Sequence, residues 1–235
     1  MTIYNFYKNL FENIYQTLIY DNRYKFILEG LFHTILIAFF AVILGVLIGI
    51  VISIIRNKHE ETGKLKILNI LAKAYVNIIR GTPVVLQLMI IYYVVFKSVD
   101  VSTIIVGVLA FGINSGAYVS EIIRSGINSI PKGQSEAGYA LGLKYGQVMR
   151  YIIFPQAIKN ILPALGNEFI TLLKETSVGA YIGIVELTKA SDIIASRTYD
   201  YFFPLLIIAL IYLIMTLGLS KLVNILERKL NNARS

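Results

Sequence analysis

Charged side chains that interrupt apolar stretches are the residues of this sequence best placed to do polar chemistry. A charge inside a membrane span costs about 2.5–3.5 kcal/mol on insertion scales. Such a residue therefore normally faces a cavity, a partner of opposite charge or a bound solute. The residues of this kind are Lys73, Arg80, Glu121, Arg124, Glu168, Lys174 and Glu175.

The sequence offers little that would support catalysis or metal binding. It has no cysteine and only two histidines, His33 and His59, which argues against a disulfide framework, thiol chemistry and a histidine-built metal site. It lacks a phosphate loop, because the nearest candidate, Gly63-Lys64, has neither the first glycine nor the hydroxyl residue. No Ser, His and Asp arrangement stands out. We therefore expect no catalytic residue, no metal and no cofactor in this chain.

Composition predicts a membrane protein. Of the 235 residues, 56% are hydrophobic and 15% are charged, whereas an ordinary soluble domain has about 25% charged residues. The net charge is +8, and the basic residues responsible for it are expected in loops that face the cytoplasm and its anionic lipid leaflet. The sequence has no stripe of basic residues interleaved with aromatic residues, so nucleic acid is not expected as a partner.

Hydropathy divides the chain into about five transmembrane helices. Residues 30–55 contain no Asp, Glu, Lys or Arg, and this run exceeds the roughly 20 apolar residues that cross a bilayer. The segment around Pro83 is predicted to be one kinked span, with two short helices as the alternative, because proline removes a backbone hydrogen bond. The later spans are predicted over residues 67–96, 101–123, 161–185 and 202–223.

The first predicted span carries small side chains at intervals of four residues. These are Ala41, Gly45, Gly49 and Ser53, which share one face of a helix. Small residues let another helix approach closely in a membrane. The stripe predicts such a contact, and chance enrichment of glycine in membrane helices is the alternative.

The distribution of basic residues predicts the orientation in the membrane. Residues 56–66, 124–160 and 221–235 contain 13 Lys and Arg, whereas residues 1–29, 97–100 and 186–200 contain 6. Because basic residues concentrate in cytoplasmic loops, the first group is expected to be cytoplasmic. The N-terminus is then outside and the C-terminus inside.

These patterns predict an all-α membrane protein with one transmembrane domain. Residues 1–29 are expected to form an extracytoplasmic, interfacial amphipathic helix, with a disordered tail as the alternative. Residues 30–225 form the transmembrane domain and include a cytoplasmic loop at 124–160. Residues 226–235 are expected to be a cytoplasmic tail.

The cytoplasmic loop is predicted to fold as a helix, a glycine turn and a second helix along the membrane surface. Ser135 is expected to cap the first helix, with Glu136 in its first turn. Gly142 suits the left-handed residue that ends such a helix. The second helix, over residues 145–154, is expected to stop before Pro155. A rigid segment of this kind transmits motion from a partner into two spans.

The loop resembles the signature by which membrane subunits of ABC importers dock onto their ATPase subunits. The shared spacing runs from Glu136-Ala137-Gly138 through Gly142 to Ile152 and Pro155, with Gly138 in place of the common alanine. Phe154 also departs from the common leucine. Other segments are similar to the histidine, glutamine and arginine permease-like branch, which imports polar amino acids. They lie in order at residues 80–87, 114–118, 130–134, 154–157 and 173–177.

The resemblance implies a type I ABC importer permease fold in the cytoplasmic (inner) membrane of a bacterium. It implies a homodimer, or a pair with a close paralogue, two ATPase subunits that bind ATP and Mg²⁺, and an extracytoplasmic amino acid binding protein. The amino acid and membrane lipid would contact this chain. The residues that would couple to the ATPase are Ser135, Glu136, Ala137, Gly138, Ala140, Leu141 and Gly142.

One candidate for the solute pathway is the face formed by Asn114, Tyr118 and Glu121. Their steps of four and three place them on one side of a helix. A pathway carboxylate such as Glu121 or Glu175 would favour a cationic amino acid. The alternative is that Glu121 simply pairs with Arg124 one helical turn away.

A second candidate is the polar run Lys174, Glu175, Thr176 and Ser177 within the fourth predicted span. Gly179 and Gly183 follow closely, so an unwound segment here would offer backbone groups to an amino or carboxylate group. An internal ion pair or a helix packing device is the alternative.

The function predicted from these observations is that of a permease subunit of an ATP-driven amino acid importer. It would couple to a separate ATPase through residues 136–155. The alternatives are an ABC permease for another small solute such as methionine, an ATP-independent secondary carrier or channel, and an assembly or signalling membrane protein.

Overall fold

The computed structural model describes residues 3–232 as helices joined by short connections, with side chains from residue 11 to residue 230. This range contains no β-strand, so the predicted all-α class is confirmed. Short 3₁₀ helices at Tyr20–Asn22 and Thr176–Ile182 and π turns at Ile91–Val95 and Met149–Ile153 link some of the helices. The α-helices are α1 (Ile3–Leu18), α2 (Tyr24–Thr62), α3 (Lys66–Gly81), α4 (Val84–Ile90), α5 (Thr103–Asn128), α6 (Lys132–Ala140), α7 (Tyr145–Val148), α8 (Phe154–Glu175), α9 (Leu187–Thr198) and α10 (Phe202–Asn232).

Helices α2 and α5 approach closely along the predicted stripe of small residues, all of which are buried. A β-carbon added to Gly45 would lie 2.7 Å from the Oγ of Ser115. One added to Gly49 would lie 2.5 Å from Cγ1 of Val119, a separation that real β-carbons do not show. Glycine is therefore required at the closest points, and the predicted helix contact is confirmed.

Helix α5 contributes glycines of its own to this contact. A β-carbon at Gly112 would lie 2.6 Å from Cδ2 of Leu44, and one at Gly116 would lie 2.7 Å from Cγ2 of Ile48. The hydroxyl of Tyr75 on α3 also reaches α5 and donates to the carbonyl oxygen of Ile113 at 2.5 Å. Helix α5 thus packs between α2 and α3.

A buried glutamate joins the other end of the bundle. Glu186 is fully buried and caps α9 by accepting from the backbone N–H groups of Thr188 and Lys189, both at 2.7 Å. The Tyr212 hydroxyl of α10 donates to the same carboxylate at 3.3 Å. The adjoining Leu187 N–H donates to Thr34 Oγ1 of α2 at 3.3 Å. Glu186 and Leu187 together therefore tie α9 to α10 and to α2, and the sequence patterns did not single out this glutamate.

The number of membrane-crossing helices is close to the predicted five. Three helices are long and apolar enough to cross, over Tyr20–Thr62, Thr103–Asn128 and Phe202–Leu230, and α3 with α4 forms a bent fourth. Helix α8 carries several charged residues, but its 22 residues span about 33 Å at 1.5 Å per residue. It packs between α5 and α10, inside the bundle.

Residues 67–96 contain two helices, α3 and α4, separated by the predicted break near Pro83. Helices α3 and α4 differ in direction by 109°. Thr82 and Pro83 between them both have extended backbone angles, with ψ of 147° and 134°. A proline cannot donate to the preceding turn, so the chain leaves the helix here and restarts.

Two predicted boundaries are wrong. The helix does not stop before Pro155, because Met149–Ile153 forms a π turn that runs directly into α8. The π turn shifts the hydrogen-bonding register, so Pro155 falls in the first turn of α8, where its missing N–H is tolerated. Helix α8 accordingly spans Phe154–Glu175 rather than residues 161–185. Helix α10 extends to Asn232, so the segment predicted as a tail begins as a helix.

The N-terminal segment is helical from Ile3 to Leu18, which agrees with the predicted helix and not with a disordered tail. Its position at the extracytoplasmic face of the membrane stays a prediction. Residues 233–235 of the predicted tail lie outside the described residues.

We expect Gly49→Ala to destabilise the protein by about 1–3 kcal/mol, because overpacking forces α2 and α5 apart. Gly218→Ala is the matched control, since nothing lies within 4 Å of a β-carbon there. Equilibrium unfolding in mixed detergent micelles measures both variants. Equal stability of the two variants would contradict the close helix contact.

Candidate functional site

A cavity of about 660 Å³, lined by both polar and apolar groups, opens between α3, α5 and α8. Two of the predicted pathway residues, Tyr118 and Glu121, line it, together with Arg80 from α3 and Glu168 from α8. Its remaining walls are mostly small or polar. They are Ile122, Ser125, Gly126, Ser129, Asn160, Ala164, Asn167 and Thr171.

Glu121 is held by two guanidinium groups. Arg56 of α2, which is buried, forms an ion pair with Oε1 of Glu121. Arg124 donates to Oε2 through Nη2 at 3.2 Å and lies 3.9 Å from the Glu60 carboxylate. The pairing with Arg124 expected across one turn is therefore present, and Glu121 lines the cavity as well. A carboxylate with two cationic partners presents little net charge to a solute.

Glu168 and Arg80 are the other charged groups of the cavity. The hydroxyl of Ser115 donates to Glu168 Oε1 at 2.8 Å, and within the described residues Glu168 forms no ion pair. The Arg80 guanidinium lies 5.4 Å from the centre of the Tyr118 ring, within the range of a cation–π contact. Unlike Glu121, Glu168 and Arg80 therefore have no oppositely charged protein partner among the described residues.

Asn114, the third residue predicted for this face, is buried behind the cavity. Its Nδ2 donates to Oε1 of Gln87 at 2.9 Å. The Nε2 of Gln87 donates in turn to the Ile79 and Thr82 carbonyl oxygens, at 2.7 and 3.0 Å. Gln87 therefore ties the end of α3 and the start of α4 to α5. Asn114 supports the bend next to Arg80 and does not line the cavity.

The predicted run of residues 174–177 lies beyond the cavity, whose lining on α8 ends at Thr171. Lys174 and Glu175 form the last turn of α8, and Thr176 and Ser177 begin a 3₁₀ helix. The Thr176 side chain is fully buried and donates to the carbonyl oxygen of Leu173 at 2.8 Å. The expected unwound segment is therefore an ordered 3₁₀ turn, because short i to i+3 bonds satisfy its backbone.

The polar segment predicted in the loop has the expected helix and glycine turn. Helix α6 ends in a left-handed Gly142 with φ of +80°. The Gly142 N–H donates to Tyr139 O at 2.9 Å and the Leu143 N–H to Gly138 O at 3.1 Å, which is a Schellman motif. This prediction is confirmed.

The predicted capping role of Ser135 is wrong. Helix α6 begins at Lys132, one turn earlier, after Pro131 in an extended conformation. The Ser135 hydroxyl therefore lies inside the helix and donates to Lys132 O at 2.7 Å. Glu136 sits in the second turn rather than the first. Proline fixes the start because its φ suits the position before a helix.

Helix α6 turns one face to the protein and leaves another exposed. Gly138 is buried, and a β-carbon there would meet Cδ1 of Ile152 at 2.8 Å and Cγ2 of Val148 at 2.9 Å. Glu136, Ala137 and Ala140 are exposed, and so is Leu141, at 80%. The exposed side of α6 is therefore formed by a glutamate, two alanines and a leucine.

Comparison with known proteins identifies the family. Residues 41–232 match the model described as binding-protein-dependent transport system inner membrane component. The chain belongs to this family.

Several curated permeases are similar over most of their length. A putative glutamine transport system permease protein of Rickettsia typhi is 42% identical over 87% of this chain and 93% of its own. The arginine transport system permease protein of Bacillus subtilis is 41% identical over 88% and 93%. The glutamine transport system permease protein of Escherichia coli is 38% identical over 80% and 87%.

Solved structures agree with the type I permease fold. A crystal structure of an amino acid ABC transporter with histidines matches 87% of this chain and 94% of its own, with a TM-score of 0.81 and 45% identity. The inward-facing MetNI methionine ABC transporter matches 88% and 99%, with a TM-score of 0.70 and 18% identity, which shows the fold alone.

The sequence of this permease predicted its local turns but not the hydrogen bonds and ion pairs between its helices. Arg56, Gln87 and Glu61 received no role from the sequence, and Glu168 was noted only as a charge in a span. Their partners lie 27 to 78 residues away. Periodicity identifies faces of one helix, whereas such pairs depend on how helices meet.

We expect Gln87→Leu and Asn114→Leu each to destabilise the permease by about 1–3 kcal/mol, because each leaves a buried polar partner unpaired. The double variant removes both polar groups and is expected to lose at least 1 kcal/mol less than the sum of the single losses, as coupled partners do. Equilibrium unfolding in micelles gives the three values, and strictly additive losses would argue against the bond.

Proposed function

We propose that this chain is the membrane-spanning permease subunit of an ATP-driven amino acid importer. Its membership of the inner membrane component family carries the proposal, and relatives named for glutamine and arginine transport support the amino acid part. The chain itself contains no phosphate loop. Separate ATPase subunits would therefore bind ATP and Mg²⁺ and hydrolyse the nucleotide.

Helix α6 is the surface through which this permease would bind its ATPase. Its exposed face joins Glu136 and the two alanines to Leu141, and the Schellman turn at Gly142 fixes where the helix ends. Its buried face rests through Gly138 on α7 and the π turn, which runs directly into α8. Movement of α6 would therefore reach α8, which forms one wall of the cavity.

The excess of basic residues in residues 56–66, 124–160 and 221–235 supports a cytoplasmic location for α6 and for the C-terminus. The N-terminus would then be extracytoplasmic, on the side where an amino acid binding protein delivers its solute. The inner-membrane family supports a bacterial cytoplasmic membrane. We further propose that two copies of the chain, or one copy and a close paralogue, enclose the pathway.

The cavity fits a small zwitterion. Its volume of about 660 Å³ lies in the range of about 300–1,000 Å³ that is common for ligand pockets. Arg80 is suited to the solute's α-carboxylate, and Glu168 to its α-ammonium group. These groups recognise what all amino acids share, so the cavity would accept more than one side chain. Glu121 is already paired with two guanidinium groups, which argues against the hypothesis that it binds the side chain of a cationic amino acid.

The alternatives have less support. The methionine transporter shares the fold at only 18% identity, whereas the relatives above 35% identity are named for amino acid, glutamine or arginine transport. A carrier or channel that works without ATP is not favoured, because the family is binding-protein-dependent.

We expect the purified permease to retain a stoichiometric ATPase subunit, and Gly142→Ala to lower the ATPase activity of that complex several-fold. Alanine at φ of +80° costs about 1–2 kcal/mol of strain, so the helix end shifts. Phosphate release by the complex is the measurement. Gly146→Ala adds the same methyl in open space at an ordinary helical angle. Equal activity of the two variants, or a permease that never retains an ATPase, contradicts the proposal.

We expect Glu168→Gln to lower uptake of both arginine and glutamine about 10-fold, because a charge-assisted hydrogen bond is worth about 1.5–3 kcal/mol. The amide still accepts from Ser115, so the packing is preserved. Uptake of both labelled amino acids into cells tests this. A loss confined to arginine would instead assign Glu168 to a cationic side chain, and no loss at all would remove it from the pathway.

A further inference from the structure

Helix α6 contacts two different parts of the chain. On one side Gly138 rests on α7 and the π turn, the route towards α8. On the other side the next residue, Tyr139, reaches the last turn of α2. Its hydroxyl donates to Oε1 of Glu61 at 2.7 Å.

The bond from Tyr139 to Glu61 is suited to transmit force. Its donor lies on α6 and its acceptor on the last turn of α2, so it joins the two helices directly. Partial desolvation, together with the Glu61 carboxylate, raises the pKa of Tyr139 to about 12. The hydroxyl therefore keeps its proton, and can donate it, throughout the physiological pH range.

Glu61 lies beside a group of charged residues that reaches the cavity. The adjacent Glu60 lies 3.9 Å from Arg124 of α5, and Arg124 is bonded to Glu121 at 3.2 Å. Arg56, just over one turn before Glu61 on α2, pairs with the same Glu121. Glu121 lines the cavity. We call Arg56, Glu60, Glu121 and Arg124 the α2–α5 charge cluster.

The C-terminal end of α2 is held by hydrogen bonds. The helix stops at a left-handed Gly63, whose N–H donates to His59 O at 2.9 Å, and His59 Nδ1 lies 2.8 Å from Lys64 O. Towards the membrane, α2 is locked to α5 by the glycine contacts. A displacement of Glu61 is therefore passed along the helix rather than absorbed in a loose end.

We propose that Tyr139 is a positioning residue that gives the coupling helix α6 a second route into the permease, through Glu61 and α2 to the α2–α5 charge cluster. This inference rests on the proposed coupling of α6 to an ATPase. One route moves the α8 wall of the cavity through Gly138. The other moves the last turns of α2, beyond the glycine contacts with α5, and changes how Arg56 and Arg124 hold Glu121. The two walls then respond to the same movement of α6.

The test compares Tyr139→Phe, Glu61→Ala, their double variant and Glu61→Gln in the complete transporter in proteoliposomes. Phenylalanine keeps the ring and removes only the donor, and glutamine keeps an acceptor oxygen for Tyr139. We measure the number of ATP molecules hydrolysed per amino acid imported. We expect Tyr139→Phe and Glu61→Ala each to raise this ratio 3- to 10-fold. The double variant should be no worse than either, and Glu61→Gln should stay near wild type.

Assembly is checked by the amount of ATPase recovered with each variant and by its thermal transition. A ratio unchanged in Tyr139→Phe overturns the second route, and so do additive losses in the double variant, since both show that the residues do not act together. A raised ratio explained by lost ATPase subunits also overturns it. If the wild-type complex shows no ATP-driven uptake, the proposed function itself fails, a result distinct from a coupled wild type with an unaffected variant.

Discussion

The close approach of α2 and α5 is the constraint on which the rest of the structure depends. Helices in a membrane gain little from the hydrophobic effect, so they associate where small residues allow extensive van der Waals contact. Glycines on both helices meet side chains or backbone of the other at distances that leave no space for a β-carbon. This contact brings Arg56 of α2 within reach of Glu121 of α5, and Glu60 near Arg124.

The charges then acquire distinct roles from their partners. Glu121 has two guanidinium groups and serves to join helices, whereas Glu168 has a hydroxyl donor and faces the cavity. Arg80 lies at the bend between α3 and α4. Gln87 holds this bend against α5 through hydrogen bonds to Ile79, Thr82 and Asn114. In the proposed function, Arg80 and Glu168 would present opposite charges to a zwitterion in the cavity.

The sequence predicted the features that depend on neighbouring residues. The apolar runs, the small-residue stripe and the left-handed Gly142 follow from local rules and are confirmed. The errors at Ser135 and Pro155 arose where Pro131 and a π turn outweighed ordinary capping and helix-stop rules. The bonds from Arg56, Gln87 and Tyr139 join helices far apart in sequence, and no periodicity in a single chain encodes which helices meet.

The central claim is that transport by this chain is driven by an ATPase docked on α6. The most direct measurement is uptake of labelled glutamine and arginine into proteoliposomes that contain the chain alone, or the chain with its ATPase and binding protein. Uptake is expected only in the complete system, and only with ATP on the side that faces α6. Uptake by the chain alone, or uptake indifferent to ATP, would contradict it.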